Sequence, residues 1–223
     1  MKSKLPDLSN FLMHYLKLLG SIYPQPPDPG HTDWAQSTFE GFEHYIDGGI
    51  AGQKVLDIGC GQGFMQDYFV SKGAEYLGIT KGSDVDVALT NGRNVEDQDM
   101  NFLEIPDDSV DFIFARHTLE HSPMPILTLM EWGRVIKSMG YMILVAPAPA
   151  FWGIAGRNHF SVVEIDKLTY YLDVAGWNIV GQDVFYNTHA EFQKHNPEEI
   201  ISHAKEVEYR LLLRFAGANK EKE

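Results

Sequence analysis

Val55-Leu56-Asp57-Ile58-Gly59-Cys60-Gly61-Gln62-Gly63 is the stretch that decides the fold class. The run from Lys54 to Ile58 reads as a short buried strand. Glycines at alternate positions then let the backbone bend tightly and let a ligand come close. A helix from about Phe64 to Ser71, ended at Gly73, follows the turn and directs its first N–H groups toward that ligand. In an open α/β sheet this crevice, at the carboxyl end of the first strand, takes nucleotide-like ligands. Spacing separates the ligand classes. Dinucleotide folds use G-x-G-x-x-G, whereas this turn is G-x-G-x-G with Asp57 ahead of it. An acid there repels a pyrophosphate and suits a cationic amino group.

Outward from the turn, strand and helix patterns alternate. Strands are expected at Tyr76 to Thr80, Val95 to Met100, Val110 to Ala115, Tyr141 to Ala146, Asn178 to Phe185 and Tyr209 to Phe215. Helices are expected at about Asp33 to Ile46, Asp84 to Asn91, Pro125 to Ile136, Val163 to Ala175 and Pro197 to Glu206. Thr32 or Asp33 is the expected cap of the first of these. Such alternation implies a mostly parallel sheet with helices on both faces. Upstream, Leu8, Phe11, Leu12, Tyr15 and Leu19 share one face of an amphipathic helix. The proline-rich stretch Tyr23 to Gly30 follows as an extended connector. Residues 1–50 are therefore expected as a helical segment or lid, and residues 51–223 as the main domain.

The chain has 223 residues, a length that suits one α/β domain. Its formal net charge of −13 disfavours nucleic acid and anionic lipid as main partners. Lysines and arginines form no basic patch. The single cysteine, Cys60, excludes an internal disulfide framework and fits a reducing cytoplasm. No apolar run approaches the ~20 residues of a membrane span. A homodimer is compatible with these features.

The Asp57 turn resembles the first motif of the class I S-adenosylmethionine (SAM)-dependent methyltransferases, in particular the group that includes ubiquinone- and menaquinone-biosynthesis methyltransferases. Further motifs extend the resemblance over roughly Gln53 to Phe185, with Tyr209 to Phe215 as a last strand. Ile105 to Ala115 resembles the family's run into its fourth strand. Arg116-His117-Thr118-Leu119-Glu120-His121-Ser122-Pro123 resembles the segment under the transferred methyl group. Arg134 to Gly140 resembles the lead-in to the fifth strand, although it lacks a proline and one of two paired glycines. The resemblance implies a Rossmann-like seven-stranded sheet in the order 3-2-1-4-5-7-6, the last strand antiparallel. It also implies SAM as cofactor, held by Asp57, Gly59, Cys60, Gly61, Gly63, Thr80, Lys81, Asp99, Met100 and His117. Asp99 stands where the family places the acid that meets the adenine amino group. One departure is larger. The second strand ends in Thr80, where most of the family has an acid that binds both ribose hydroxyls. Cyclopropane-fatty-acid-synthase-like members carry a similar threonine, and Lys81 and Asp84 are available to compensate.

Methyl transfer needs an aligned nucleophile and exclusion of water; a general base helps where the acceptor is a hydroxyl or ammonium. His121 and His117, after the fourth strand, and His159, after the fifth, are the candidate bases. Each could equally be a hydrogen-bonded structural histidine. The i, i+3, i+4 spacing of His117, Glu120 and His121 also has metal-ligand form. Because Pro123 limits any helix there, no metal is expected. The expected acceptor is a small molecule, with flanking aromatics such as Trp34, Phe39, Phe151 and Trp152 as wall or core. The alternatives are a SAM-binding regulator or partner without transferase activity and, disfavoured by the glycine spacing, a dinucleotide-binding dehydrogenase-like protein.

Overall fold

The structure, a computed structural model, describes residues 30–152, 159–199 and 201–217. The amphipathic helix at 8–19, the connector that follows it, Arg157 and Asn158 lie outside the described residues. Strands β1 (Lys54–Ile58), β2 (Glu75–Thr80), β3 (Val95–Asp97), β4 (Val110–Arg116), β5 (Ile136–Pro147), β6 (Trp177–Tyr186) and β7 (Glu206–Phe215) form one sheet in the order 3-2-1-4-5-7-6. The first five are parallel, and β7 runs antiparallel to both β5 and β6. The expected sheet is present in order and direction.

Period-two alternation along the strands builds two separate cores, one on each face. Val55, Phe112, Phe114, Ile143 and Val145 turn to one face and meet Phe39, Phe42 and Phe69. Those aromatics come from α1 (Gly30–Glu43) and α2 (Gln66–Ser71). Leu56, Ile58, Ile113, Met142 and Leu144 turn to the other face and meet Leu129, Trp132 and Leu172. These belong to α4 (Pro125–Val135) and α5 (Ile165–Val174); α3 (Ser83–Thr90) links β2 to β3. Leu129, Trp132 and Val135 are fully buried, and each such apolar side chain stabilises the fold by about 1.5–3 kcal/mol. Of the segment expected as a lid, the described part packs into the first core through Phe39, Phe42, Ile46 and Ile50.

Two local expectations are corrected. Thr32 and Asp33 lie inside α1 rather than at its cap. The helix expected from Pro197 to Glu206 is absent among the described residues; a shorter α6 (Ala190–His195) precedes it and Glu206 already opens β7. Proline resists continuation of the preceding helix. Asn187 then closes the β6–β7 connection, its Oδ1 accepting from the Lys205 N–H at 2.8 Å and its own N–H donating to the Lys205 carbonyl at 3.1 Å. Met139, beside Gly140 in the lead-in that lacks one of two paired glycines, takes a left-handed φ of 65°. No helix among the described residues is long and apolar enough to cross a membrane.

Candidate active site

The carboxyl ends of β1, β2 and β4 open on a cavity of about 200 Å³. β1 delivers Asp57 to it, 4% exposed. The Tyr76 hydroxyl donates to Asp57 Oδ2 at 2.8 Å. Burial nevertheless pushes the Asp57 carboxyl up to about 7, the hydrogen bond offsetting only part of the rise. The chain then turns. N–H groups of Gly59 and Cys60 both donate to the Ile79 carbonyl, at 2.9 and 3.1 Å. Gly59 has φ 75°, and a Cβ on it would stand 2.1 Å from Thr118 Oγ1, so only glycine fits between β1 and the segment after β4. Gly61, with φ 53°, has only the Phe64 ring near its missing Cβ and forms part of the cavity wall.

Thr80 and Lys81 reach the wall from the end of β2, and Lys81 pairs with Asp97 at 2.8 Å. Asp84, in the first turn of α3, is 6% exposed and lines the same side. Its Oδ1 accepts from Gln62 Nε2 at 3.2 Å. Asp99 and Met100 line the far end. Asp99 Oδ1 accepts from the N–H and the side-chain amide of Asn101, at 2.8 and 2.7 Å, whereas its Oδ2 is buried with no partner. Trp132 Nε1 donates to the Met100 carbonyl at 2.9 Å, and Arg134 donates to the carbonyls of Leu103 and Ile105. α4 thus holds this loop from behind.

The segment after β4 supplies the third wall, with Arg116, His117, Thr118 and His121. His117 has a left-handed φ of 50°. Its Nε2 lies 2.8 Å from Glu208 Oε1 on β7, and Arg116 donates to the same oxygen at 2.6 Å. Arg210 donates to Glu208 Oε2 at 3.2 Å. Burial alone would raise the Glu208 carboxyl, but Arg116, the His117 hydrogen bond and Arg210 hold it well below the usual carboxylate range. An ionised carboxylate only accepts, so Nε2 of neutral His117 carries the proton. Burial, together with the Arg116 charge, lowers the His117 pKa and favours that neutral form.

Glu120 is 1% exposed, both its oxygens are buried without a hydrogen-bond partner, and burial pushes its carboxyl up to about 8 despite Arg116. Its backbone carbonyl accepts from Phe160 and Ser161, which docks the 159–161 strand of loop here. The His159 ring accordingly stands 5.1 Å from that of His121, and burial lowers the His159 pKa.

Nine of the ten residues expected to hold the cofactor line the cavity; Gly63 does not. A Cβ on Gly63 would lie 3.2 Å from Val95 and 3.3 Å from Arg93, which places that glycine against β3. Among the expected bases, His117 and His121 reach the cavity wall and His159 stands behind it. The expected metal-like grouping of His117, Glu120 and His121 is rearranged: Glu120, His121 and His159 are the three whose ligand atoms lie within 4.8 Å of one another, a donor set that can hold a divalent ion. Sequence reading missed Glu208 and Arg210.

Residues 56–144 match a family model described as a methyltransferase domain. Over those residues the chain is similar to the methyltransferase domains of that family. A ubiquinone biosynthesis O-methyltransferase of Acinetobacter baylyi is 28% identical over 104 residues, 43% of this chain and 44% of that protein. The matched region therefore spans under half the length of that relative. A SAM-dependent methyltransferase from Archaeoglobus fulgidus shares the fold with a TM-score of 0.63 at 18% identity, covering 82% of this chain and 94% of its own. The [4+2]-cyclase SpnF shares it with a TM-score of 0.64 at 16% identity, covering 92% and 94%.

Cofactor chemistry can be tested against the donor set of this cavity. SAM presents an ammonium, a ribose and an adenine amino group. Asp57 offers a carboxylate at the glycine turn, Thr80 and Asp84 offer oxygens midway, and the orphaned Asp99 Oδ2 offers an acceptor at the far end. A buried acceptor left unpaired is costly, so an amino donor at Asp99 is the complement this end lacks. The residues fit the cofactor.

Proposed function

We propose that the protein transfers a methyl group from SAM to a small-molecule acceptor. The observation that carries this reading is the spacing of acceptors along one cavity, Asp57 at the turn and the orphaned Asp99 Oδ2 at the end, with two histidines on the third wall. Bound SAM supplies an activated methyl group, so the chain's own task is to bind, align and exclude water. Asp57 would hold the ammonium, Thr80 and Asp84 the ribose, and Asp99 with Met100 the adenine. His117, kept neutral by burial and by Arg116, and His121 beside it, are placed to take a proton from an acceptor hydroxyl or ammonium. α1 closes one side of the cavity through Thr32 and Ala35. A reducing, cytoplasmic setting suits the buried thiol of Cys60.

Incubating the protein with methyl-labelled SAM and a panel of hydroxyl- and amine-bearing acceptors tests the reading. Label should pass to at least one acceptor, and His121→Ala should slow that transfer by about 100-fold or more. A second reading is SAM binding without methyl transfer. Thr80 in place of the ribose acid supports it, as does the likeness to SpnF, a cyclase on the same fold. Tight binding of S-adenosylhomocysteine with no transfer to any acceptor would favour it.

A further inference from the structure

The chain has four tryptophans. Three of their indole N–H groups donate to backbone carbonyls: Trp132 to Met100, Trp152 to Val207 and Trp177 to Leu129. The fourth, Trp34 Nε1, is buried with no acceptor. Arg116 Nε and Arg210 Nη2 are buried and unpartnered as well. All three side chains are more than nine-tenths buried, Trp34 at 5% exposure and the two arginines at 8% and 7%. They also adjoin one another. The Arg116 guanidinium lies 5.7 Å from the Trp34 ring, Trp34 lies 5.5 Å from Phe185, and the Arg210 guanidinium sits 3.9 Å over Phe185.

Charge is unbalanced at the same place. Two guanidinium groups share a single carboxylate, Glu208. Neither oxygen of the nearby Glu120 has a hydrogen-bond partner, so Glu120 bonds to neither guanidinium group. Three donors are left without acceptors, two guanidinium groups hydrogen-bond one carboxylate, and the neighbours are flat aromatic rings. Of this cluster Arg116 lines the SAM cavity, as does Ala35, next to Trp34; Trp34, Phe185 and Arg210 lie behind that wall.

We infer that this corner of the cavity binds the carboxylate of an aromatic acid, and that the methyl acceptor is of that class. A carboxylate offers two coplanar acceptors, which match the fixed planar donors of guanidinium and indole groups. The acceptor assignment rests on the methyltransferase reading; the anion site rests on the donors alone.

Amide and indole spectra of the ¹⁵N-labelled protein, titrated with benzoate and separately with benzamide and with inorganic phosphate, test it. Each titration is run with and without S-adenosylhomocysteine. Trp34→Phe identifies the Trp34 indole signal by its loss. Benzoate should move that signal to saturation and leave the other three indoles near their places. Benzamide, of the same shape but uncharged, should bind at least about tenfold more weakly. Trp34→Phe removes one donor and keeps an aromatic wall, so it should weaken benzoate severalfold while S-adenosylhomocysteine binds as before. Arg116→Gln should abolish the preference for the anion. If benzoate leaves the Trp34 indole unmoved, if benzamide matches benzoate, or if phosphate saturates the signal and benzoate does not, the inference is overturned. If benzoate discriminates as expected while S-adenosylhomocysteine fails to bind, the anion site stands and the methyltransferase reading falls.

Discussion

Asp57 gives the sharpest quantitative prediction. Burial pushes its carboxyl up to about 7 from an ordinary 3.8, because β1 carries it into the interior with the Tyr76 hydroxyl as hydrogen-bond partner. A ligand ammonium pairs with the ionised form, so binding must draw the proton off. At about pH 8 roughly nine-tenths of the protein is ready, and at about pH 6 roughly one-tenth, which makes S-adenosylhomocysteine about tenfold weaker at the lower pH. Another unit down costs about another tenfold. Calorimetry at about pH 6 in buffers of different ionisation enthalpy should also show nearly one proton released on binding. The stability sign runs the other way. A raised carboxyl favours the folded state below the unfolded pKa, and that contribution is lost as pH climbs through about 7; the ceiling is on the order of 4 kcal/mol. Asp57→Asn should therefore unfold at a higher temperature than wild type at about pH 8 and bind S-adenosylhomocysteine poorly. Affinity flat from about pH 5 to 8, or an Asp57→Asn protein less stable than wild type at about pH 8, would refute the reasoning.

Three further outcomes are expected. Asp84 is buried and lines the cavity with Thr80; with the ribose held there as proposed, Asp84→Asn should weaken S-adenosylhomocysteine by about tenfold or more, and Thr80→Asp should weaken it too by setting two carboxylates together; calorimetric titration reads both. Glu208→Gln leaves Arg116 and Arg210 without their shared carboxylate and should cost about 3–5 kcal/mol, a melting point lower by roughly 10 °C in a chain of this size. Met139→Gly relieves a left-handed methionine; the conformational penalty of about 1–2 kcal/mol exceeds the entropic cost of glycine, so the urea midpoint should rise by an amount worth about 0.5 kcal/mol.

The parts of the molecule legible in the sequence are those where one local signal dominates. Lys54–Ile58 is a strand from end to end because a short apolar run has nowhere to go but the middle of a sheet. Asp57 and the glycines announce the cavity because ligand approach and a positive φ both demand them. β7 shows the opposite case. The expected strand opens only at Tyr209, whereas β7 begins at Glu206 and buries the charged Glu208 and Arg210 to 0% and 6% exposure. α1 and the aromatics around Trp34 cover the face that carries them, and Glu208 pairs with Arg116 and His117, over ninety residues away in sequence, while Arg210 pairs with Glu208 itself. No local pattern encodes such a partner. Gly63 differs from the other motif glycines in packing against Arg93 and Val95. The stretch after Pro197 misled because helix propensity there is overridden by Asn187, which clamps Lys205 and starts β7 early.

Titration of the purified protein with S-adenosylhomocysteine, and in parallel with NAD, tests the central claim most directly. Saturable binding of S-adenosylhomocysteine at one site, lost in Asp57→Asn and absent for NAD, is the predicted result. Saturable binding of NAD with no heat from S-adenosylhomocysteine would contradict the reading of Asp57 and its glycine turn.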